Sequence, residues 1–233
     1  MKFTIDKEIF SRFAPIKIAV AALENINNNV DIGAFFDAEY SAIEKLVADK
    51  LDGAELSDLP VVRRWREIYK SFGEKDARSS VESLIKRVKN GKGLYRINPL
   101  VDIYNLCSLR FGLPAGGEDA DAFASDLELT FANGDENFLP LGETAIEHPN
   151  PGEAVYKFGD TIVCRNFNYY ESDVTKLTAG TKRAVLVFED ALDDEPNLRA
   201  ALDWIGEKAG LLLGANVAAS AVLCADENEF IIK

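Results

Sequence analysis

The residues of this 233-residue chain best suited to chemistry follow a helix-like run, where Gly116 and Gly117 precede Glu118, Asp119 and Asp121. Adjacent glycines let a backbone take up positive φ or approach a ligand with no Cβ in the way. The acids beside them supply hydrogen-bond acceptors. The same pattern also reads as a helix stop with an acidic turn, because it is no phosphate or metal motif; the residues alone leave both readings open. Cys107, Cys164 and Cys224 are odd in number and widely spaced, with no CxxC. Such usage opposes a disulfide framework and a zinc site, and suits inert buried thiols in a reducing cytosol. The only histidine, His148, falls in a proline-rich loop signal. Neither a metal nor an organic cofactor is expected.

Helices and strands must position these groups. Asn98 and Pro99 form a start signal, an Asn N-cap followed by proline at the first helical position. Leu100, Ile103, Leu106, Cys107 and Phe111 recur at helical spacing and predict a buried face, which leaves Asp102 and Asn105 elsewhere on the surface. Gly112 and Pro114 end that helix. Further helices are expected over Gly33–Leu51, Pro60–Phe72 and Ser79–Asn90, the last opened by a Ser79/Glu82 capping box, and over Pro196–Leu213. Met1–Phe13 suits a strand or a short helix, and Ile16–Leu23 a buried strand. Leu127–Ala132, Ala154–Phe158, Thr161–Arg165 and Arg183–Phe188 read as antiparallel strands between turn signals, with a last strand at Val217–Cys224. The fold class is α+β with a helical N-terminal portion.

Composition excludes several classes. Hydrophobic residues make up 47% and aromatics 10%, which argues against disorder. No apolar run approaches the ~18 residues of a membrane span, and Met1–Asp6 has no signal-peptide pattern; a cytoplasmic protein without a membrane partner is expected. The net charge is −13, yet Pro60–Arg96 holds eleven basic residues against four acids, a local +7 that leaves −20 for the rest. One basic face on an acidic protein allows a polyanion to dock locally. A solvated helix face is the competing reading.

Two blocks carry a family likeness. Asn98, Val101, Asp102, Asn105, Gly112 and Pro114 in INPLVDIYNLCSLRFGLP, and DTIVCRNFNYYESDVTKLTAGTKRAVLVFEDA from Asp160 to Ala191, resemble the B3/B4 domain of the bacterial phenylalanyl-tRNA synthetase β chain. SSVESLIKRVKNGKGLYRINPLVD, together with PLGE and PGEAVY, is similar to free-standing relatives of that domain. The resemblance divides the chain into an N-terminal extension (1–59), a synthetase-like core (60–192) and a C-terminal helix and strand (193–233), all within one domain. It implies an antiparallel β-barrel-like core decorated by helices.

The resemblance also implies a chemistry, hydrolysis of the ester between an amino acid and the terminal ribose of transfer RNA. Glu171 would hold the substrate ammonium or orient water, and Asn98 would contribute donors with the backbone at Gly116 and Gly117. Arg165, Asn166, Asn168, Tyr169 and Tyr170 would surround the substrate. Arg63, Arg64, Arg66, Lys86 and Arg87 would meet the tRNA, the expected partner; DNA is not expected, and the oligomeric state is undefined. A surface or capping carboxylate is the plain alternative for Glu171, and backbone capping for the asparagines. Two departures stand out. Gly116 occupies the position of a family histidine, and Tyr169 and Tyr170 replace two glycines. The expected function is editing in trans, with a non-catalytic tRNA- or amino-acid-binding module as the alternative.

Overall fold

The computed structural model describes residues 1–232; Lys233, the end of the C-terminal segment, lies outside the described residues. The chain runs β1 (Lys2–Ile5), α1 (Lys7–Arg12), β2 (Lys17–Glu24), α2 (Gly33–Lys50), α3 (Pro60–Ser71), α4 (Ser80–Lys89), α5 (Pro99–Phe111), β3 (Ala115–Asp119) and β4 (Leu127–Phe131). It continues with β5 (Ala154–Phe158), β6 (Thr161–Arg165), β7 (Tyr170–Glu171), β8 (Ala184–Asp190), α6 (Glu195–Leu213), β9 (Asn216–Leu223) and β10 (Glu229–Ile231). The strands form one sheet ordered β10-β1-β4-β5-β6-β7 and a second ordered β3-β8-β2-β9.

The expected α+β class is therefore observed. The expected barrel is not, because both sheets stay open and pack face to face. Pairing is antiparallel except between β1 and β4. The N-terminal and C-terminal segments are woven into both sheets: β1 pairs with β4 and β10, and β2 lies between β8 and β9. β2 is apolar from Ile18 to Leu23, between Lys17 and Glu24 at its ends, because both of its faces are buried there. Alternation sends Ile18, Val20 and Ala22 into the core between the sheets and Ala19 and Leu23 toward the helices. The helix side is filled by Leu100, Ile103 and Cys107 of α5 and Leu198, Ala201 and Ile205 of α6.

Local signals account for the helix ends. Asn98 Oδ1 accepts from Val101 N, and Gly112 closes α5 at φ 71°. Ser79 accepts from Glu82 N at the start of α4, but the Glu82 carboxylate does not complete the box and instead takes Arg66 and Arg78. Two expectations are corrected. Gly116 and Gly117 lie within a strand, not a turn, because the close approach of neighbouring side chains, rather than a positive φ, is what requires a missing Cβ at Gly117. Asp102 is buried, not on the surface, because its carboxylate takes Arg96 Nε at 2.6 Å and Ile97 N at 3.0 Å.

Candidate functional site

The site forms where β7, at the edge of one sheet, meets β3, at the edge of the other. Cys164 pairs with Glu171 and Arg165 with Tyr170. Because side chains alternate across a strand, Glu171 and Cys164 share one face while Tyr170 and Arg165 share the opposite one. Glu171 points inward. An ideal Cβ on Gly116 would lie 3.4 Å from Glu171 Oε1, in ordinary contact, which places the glycine directly beside this carboxylate. Two residues on, on the same face of β3, the Glu118 carboxyl hydrogen-bonds that of Glu171.

Two cavities adjoin this pair. The inner one is lined by Gly116, Glu118, Tyr156, Cys164, Asn168, Glu171 and Glu189 among others, and its volume of about 20 Å³ suits roughly one water molecule. The outer one, about 140 Å³, is walled by Ile97, Val101, Tyr104, Leu141 and Leu177, with Gly117, Glu171, Ser172 and Lys176 completing it. Ile97 and Leu141 are exposed and form its mouth. Gly117 lets Tyr104, Leu177 and Leu186 close in, since a Cβ there would meet Leu186 Cδ2 at 2.5 Å. Glu171 lines both cavities.

The electrostatics follow from burial. Desolvation, followed by the neighbouring Glu171 charge, pushes Glu118 well above the usual carboxylate range. Desolvation also raises Glu171, opposed by its hydrogen bonds from Glu118 and Cys164. Of the two, Glu118 is the donor and Glu171 the acceptor, since the bond between them raises the first and lowers the second. Glu189 is pushed up to about 7 by burial, although Tyr156 and Asn168 hydrogen-bond its carboxylate. Three carboxyls thus meet at one small chamber whose other walls are mostly apolar. Burial raises Cys107 and Cys164 well above the usual thiol range, which leaves both as thiols.

The other residues singled out from sequence are placed as follows. Asn98 spends its side chain on Asn28 Nδ2, Val101 N and Leu177 O, so it fixes the wall of the outer cavity rather than pointing into it. Asn168 is bound to Glu189 and accepts from Ser80 N at 2.8 Å, tying α4 to the inner chamber. Asn166 is buried at φ 52° and lines neither cavity. Arg165 turns away to Glu153 and Glu147. Tyr169 and Tyr170 pack ring against ring at 4.0 Å, and the hydrogen bond that the Tyr170 hydroxyl donates to Tyr169, with burial, pushes Tyr170 up to about 12. His148 rests against Glu136 O and lines neither cavity.

The basic segment divides into structural and free cations. Arg64 donates to Phe13 O and Ala14 O, Arg63 to Asp58 O, and Arg66 to the buried Glu82. Arg78, Lys86, Arg87 and Lys92 edge a groove over α4 with Glu82 and Asn90; Lys89 adjoins it. Lys86 and Lys92 have no ion-pair partner among the described residues.

Sequence reasoning passed over Glu189, Tyr156 and Tyr104. Glu189 did carry a signal: it follows Val185 and Val187 on one face of β8, an acid on an otherwise apolar stripe. A larger cavity of about 390 Å³ lies elsewhere, lined by Leu51, Leu109 and Asp194 among others, and contains none of the candidate catalytic, substrate-binding or tRNA-binding residues. Among the described residues, no group of three or more His, Cys, Asp and Glu side chains is arranged to hold a metal, and no helix is long and apolar enough to cross a membrane.

A family model described as the B3/4 domain matches residues 64–192. Among solved structures, an N-terminal fragment of the phenylalanyl-tRNA synthetase β-subunit from Pyrococcus horikoshii is similar, with a TM-score of 0.48 and 12% identity over 92% of this chain and 49% of that one. This chain spans about half the length of that fragment. No curated protein matches.

Proposed function

The chain belongs to the B3/4 domain family, and from that premise we propose that it is a trans-editing hydrolase, deacylating mischarged aminoacyl-tRNA. The observation that carries the reading is the outer cavity, an apolar pocket with the Glu171 carboxylate at its inner end. An aminoacyl ester offers complementary chemistry, an apolar side chain beside an α-ammonium group. Glu171 anchors the ammonium through a charge-assisted hydrogen bond. Asn98 acts by positioning Leu177 rather than by touching substrate. Water attacks the ester carbonyl, the bond to the ribose oxygen breaks, and the water proton ends on that oxygen, leaving the free amino acid and the terminal hydroxyl. Because the ester is already activated, positioning and oxyanion stabilisation supply the catalysis.

The free cations over α4 support docking of the tRNA backbone. One observation favours the second reading, a non-catalytic tRNA- or amino-acid-binding module: Gly116 brings no imidazole to the pocket. A deacylation screen over a panel of mischarged tRNAs separates the two. Release of an amino acid from at least one member supports editing; binding without turnover on every member selects the module instead.

A further inference from the structure

Tyr95 is 69% exposed, an unusual state for a large aromatic ring. It lies in the segment that joins α4 to α5, and that segment is braced on both sides. Arg87 Nε donates to Gly93 O at 3.0 Å, and its guanidinium sits over the Tyr95 ring, 3.7 Å from the centroid. On the other side, Arg96 and Ile97 N are held by the buried Asp102, and the Arg96 guanidinium lies over the Phe36 ring. The ring therefore has one face backed by a fixed cation while much of its surface stays open to solvent.

Its surroundings limit what could cover it. Upstream is the cationic groove with Lys86, Arg87 and Lys92. Two residues downstream, at most about 7 Å along the chain, is Ile97, 63% exposed at the mouth of the Glu171 cavity. A cationic groove thus precedes the ring along the chain and an amino-acid-sized pocket follows it. A base stacks on an aromatic face whatever its sequence, and an arginine on the far face adds a cation–π contribution.

Resting on the editing function proposed above, we propose that Tyr95, backed by Arg87, is a stacking platform for an unpaired nucleobase near the 3′ end of the RNA, holding the strand so that its terminal ribose ester reaches Glu171. Single-stranded RNA ends are recognised in this way because their bases are free to splay out. The platform and the cations over α4 act on different parts of the strand. The ring reads a base, whereas the lysines read phosphates.

The test uses the full chain and a 5′-fluorescent single-stranded RNA heptamer ending in CCA, with a matched heptamer whose last three positions are abasic. Tyr95→Ala should weaken binding of the first about tenfold and Tyr95→Phe by less than about twofold, because the ring and not the hydroxyl does the stacking. The abasic heptamer should bind wild type and Tyr95→Ala alike. The slope of affinity against salt should be the same in all three proteins, since no phosphate contact changes. Equal affinity of wild type and Tyr95→Ala for the CCA heptamer overturns the platform. If that result accompanies deacylation of a mischarged tRNA by the wild type, the editing function stands without it. If the wild type neither binds the heptamer nor deacylates any tRNA, both proposals fall.

Discussion

The Glu118 carboxyl, on β3 of the four-stranded sheet, hydrogen-bonds the Glu171 carboxyl, on β7 of the six-stranded sheet. Two acids drawn together out of water cannot both ionise cheaply, so Glu118 keeps its proton and donates it toward Glu171. Glu171 is thereby held as an acceptor at the end of an apolar cavity, the arrangement an ammonium group needs.

Glu171→Gln keeps the shape and removes the charge, so deacylation of the identified substrate should fall at least about tenfold, or ~1.4 kcal/mol in transition-state binding. Measuring substrate affinity separately assigns the role. A rise in Kd means anchoring, and a fall in rate at saturation means water orientation. Equal turnover by the variant and the wild type would contradict any role for Glu171 in substrate binding or catalysis.

The buried acids should make the protein less stable as pH rises. Glu189 moves from an ordinary 4.5 to about 7 on folding. A carboxyl raised by folding contributes stability that is complete below its unfolded pKa and is lost as pH climbs through its folded value. Between pH 4.5 and 7 this residue alone should cost about 3 kcal/mol, with Glu118 and Glu171 acting in the same direction. Urea unfolding across that window reads the slope. Glu189→Gln should flatten it, and an unchanged slope would count against this assignment of the protons.

Gly117→Ala places a methyl group 2.5 Å from Leu186 Cδ2 and 3.2 Å from both Leu177 and Tyr104. Overpacking of this kind typically costs about 1–3 kcal/mol. Gly116→Ala meets only ordinary contact, 3.4 Å from Glu171 Oε1. The first variant should lower the urea midpoint clearly. The second should leave the midpoint nearly unchanged while disturbing any activity that depends on Glu171. Equal midpoints for the two variants would refute this account of the glycine pair.

Reversal of charge over α4 must spare the cations that hold the fold. Lys86→Glu with Lys92→Glu should weaken tRNA binding and flatten its salt dependence by about two phosphate contacts, with no loss of stability. Arg66→Glu, by contrast, sets a carboxylate against the buried Glu82 and should destabilise the protein by roughly 3 kcal/mol or more. Thermal melts beside salt titrations distinguish the two effects; salt-insensitive, undiminished binding by the double variant would remove the cationic groove from the docking surface.

Much of the architecture was determined locally and could be read from the sequence. Asn98 and Gly112 bound α5, proline and serine open α3 and α4, and the apolar runs at Ala154–Phe158 and Thr161–Arg165 are strands with those same limits. These depend on neighbours a few residues apart, whose caps and periodicity act within one element. The family likeness was also legible, because it rests on residue types in order. The tertiary structure alone decided that the sheets stay open, that AGGED is a strand, and that Asp102 is buried. AGGED is settled by β8, far away in the chain, whereas Asp102 takes nearby Arg96 and Ile97 N and lies where α2 packs against α5, a contact between distant segments. The site shows the same division. A glutamate after two tyrosines was visible, but its inward direction comes from its register with Cys164, and its proton balance from Glu118, 53 positions earlier. Periodicity assigns a face to a side chain, whereas only packing decides which groups meet it there, and at Glu171 that meeting sets the chemistry.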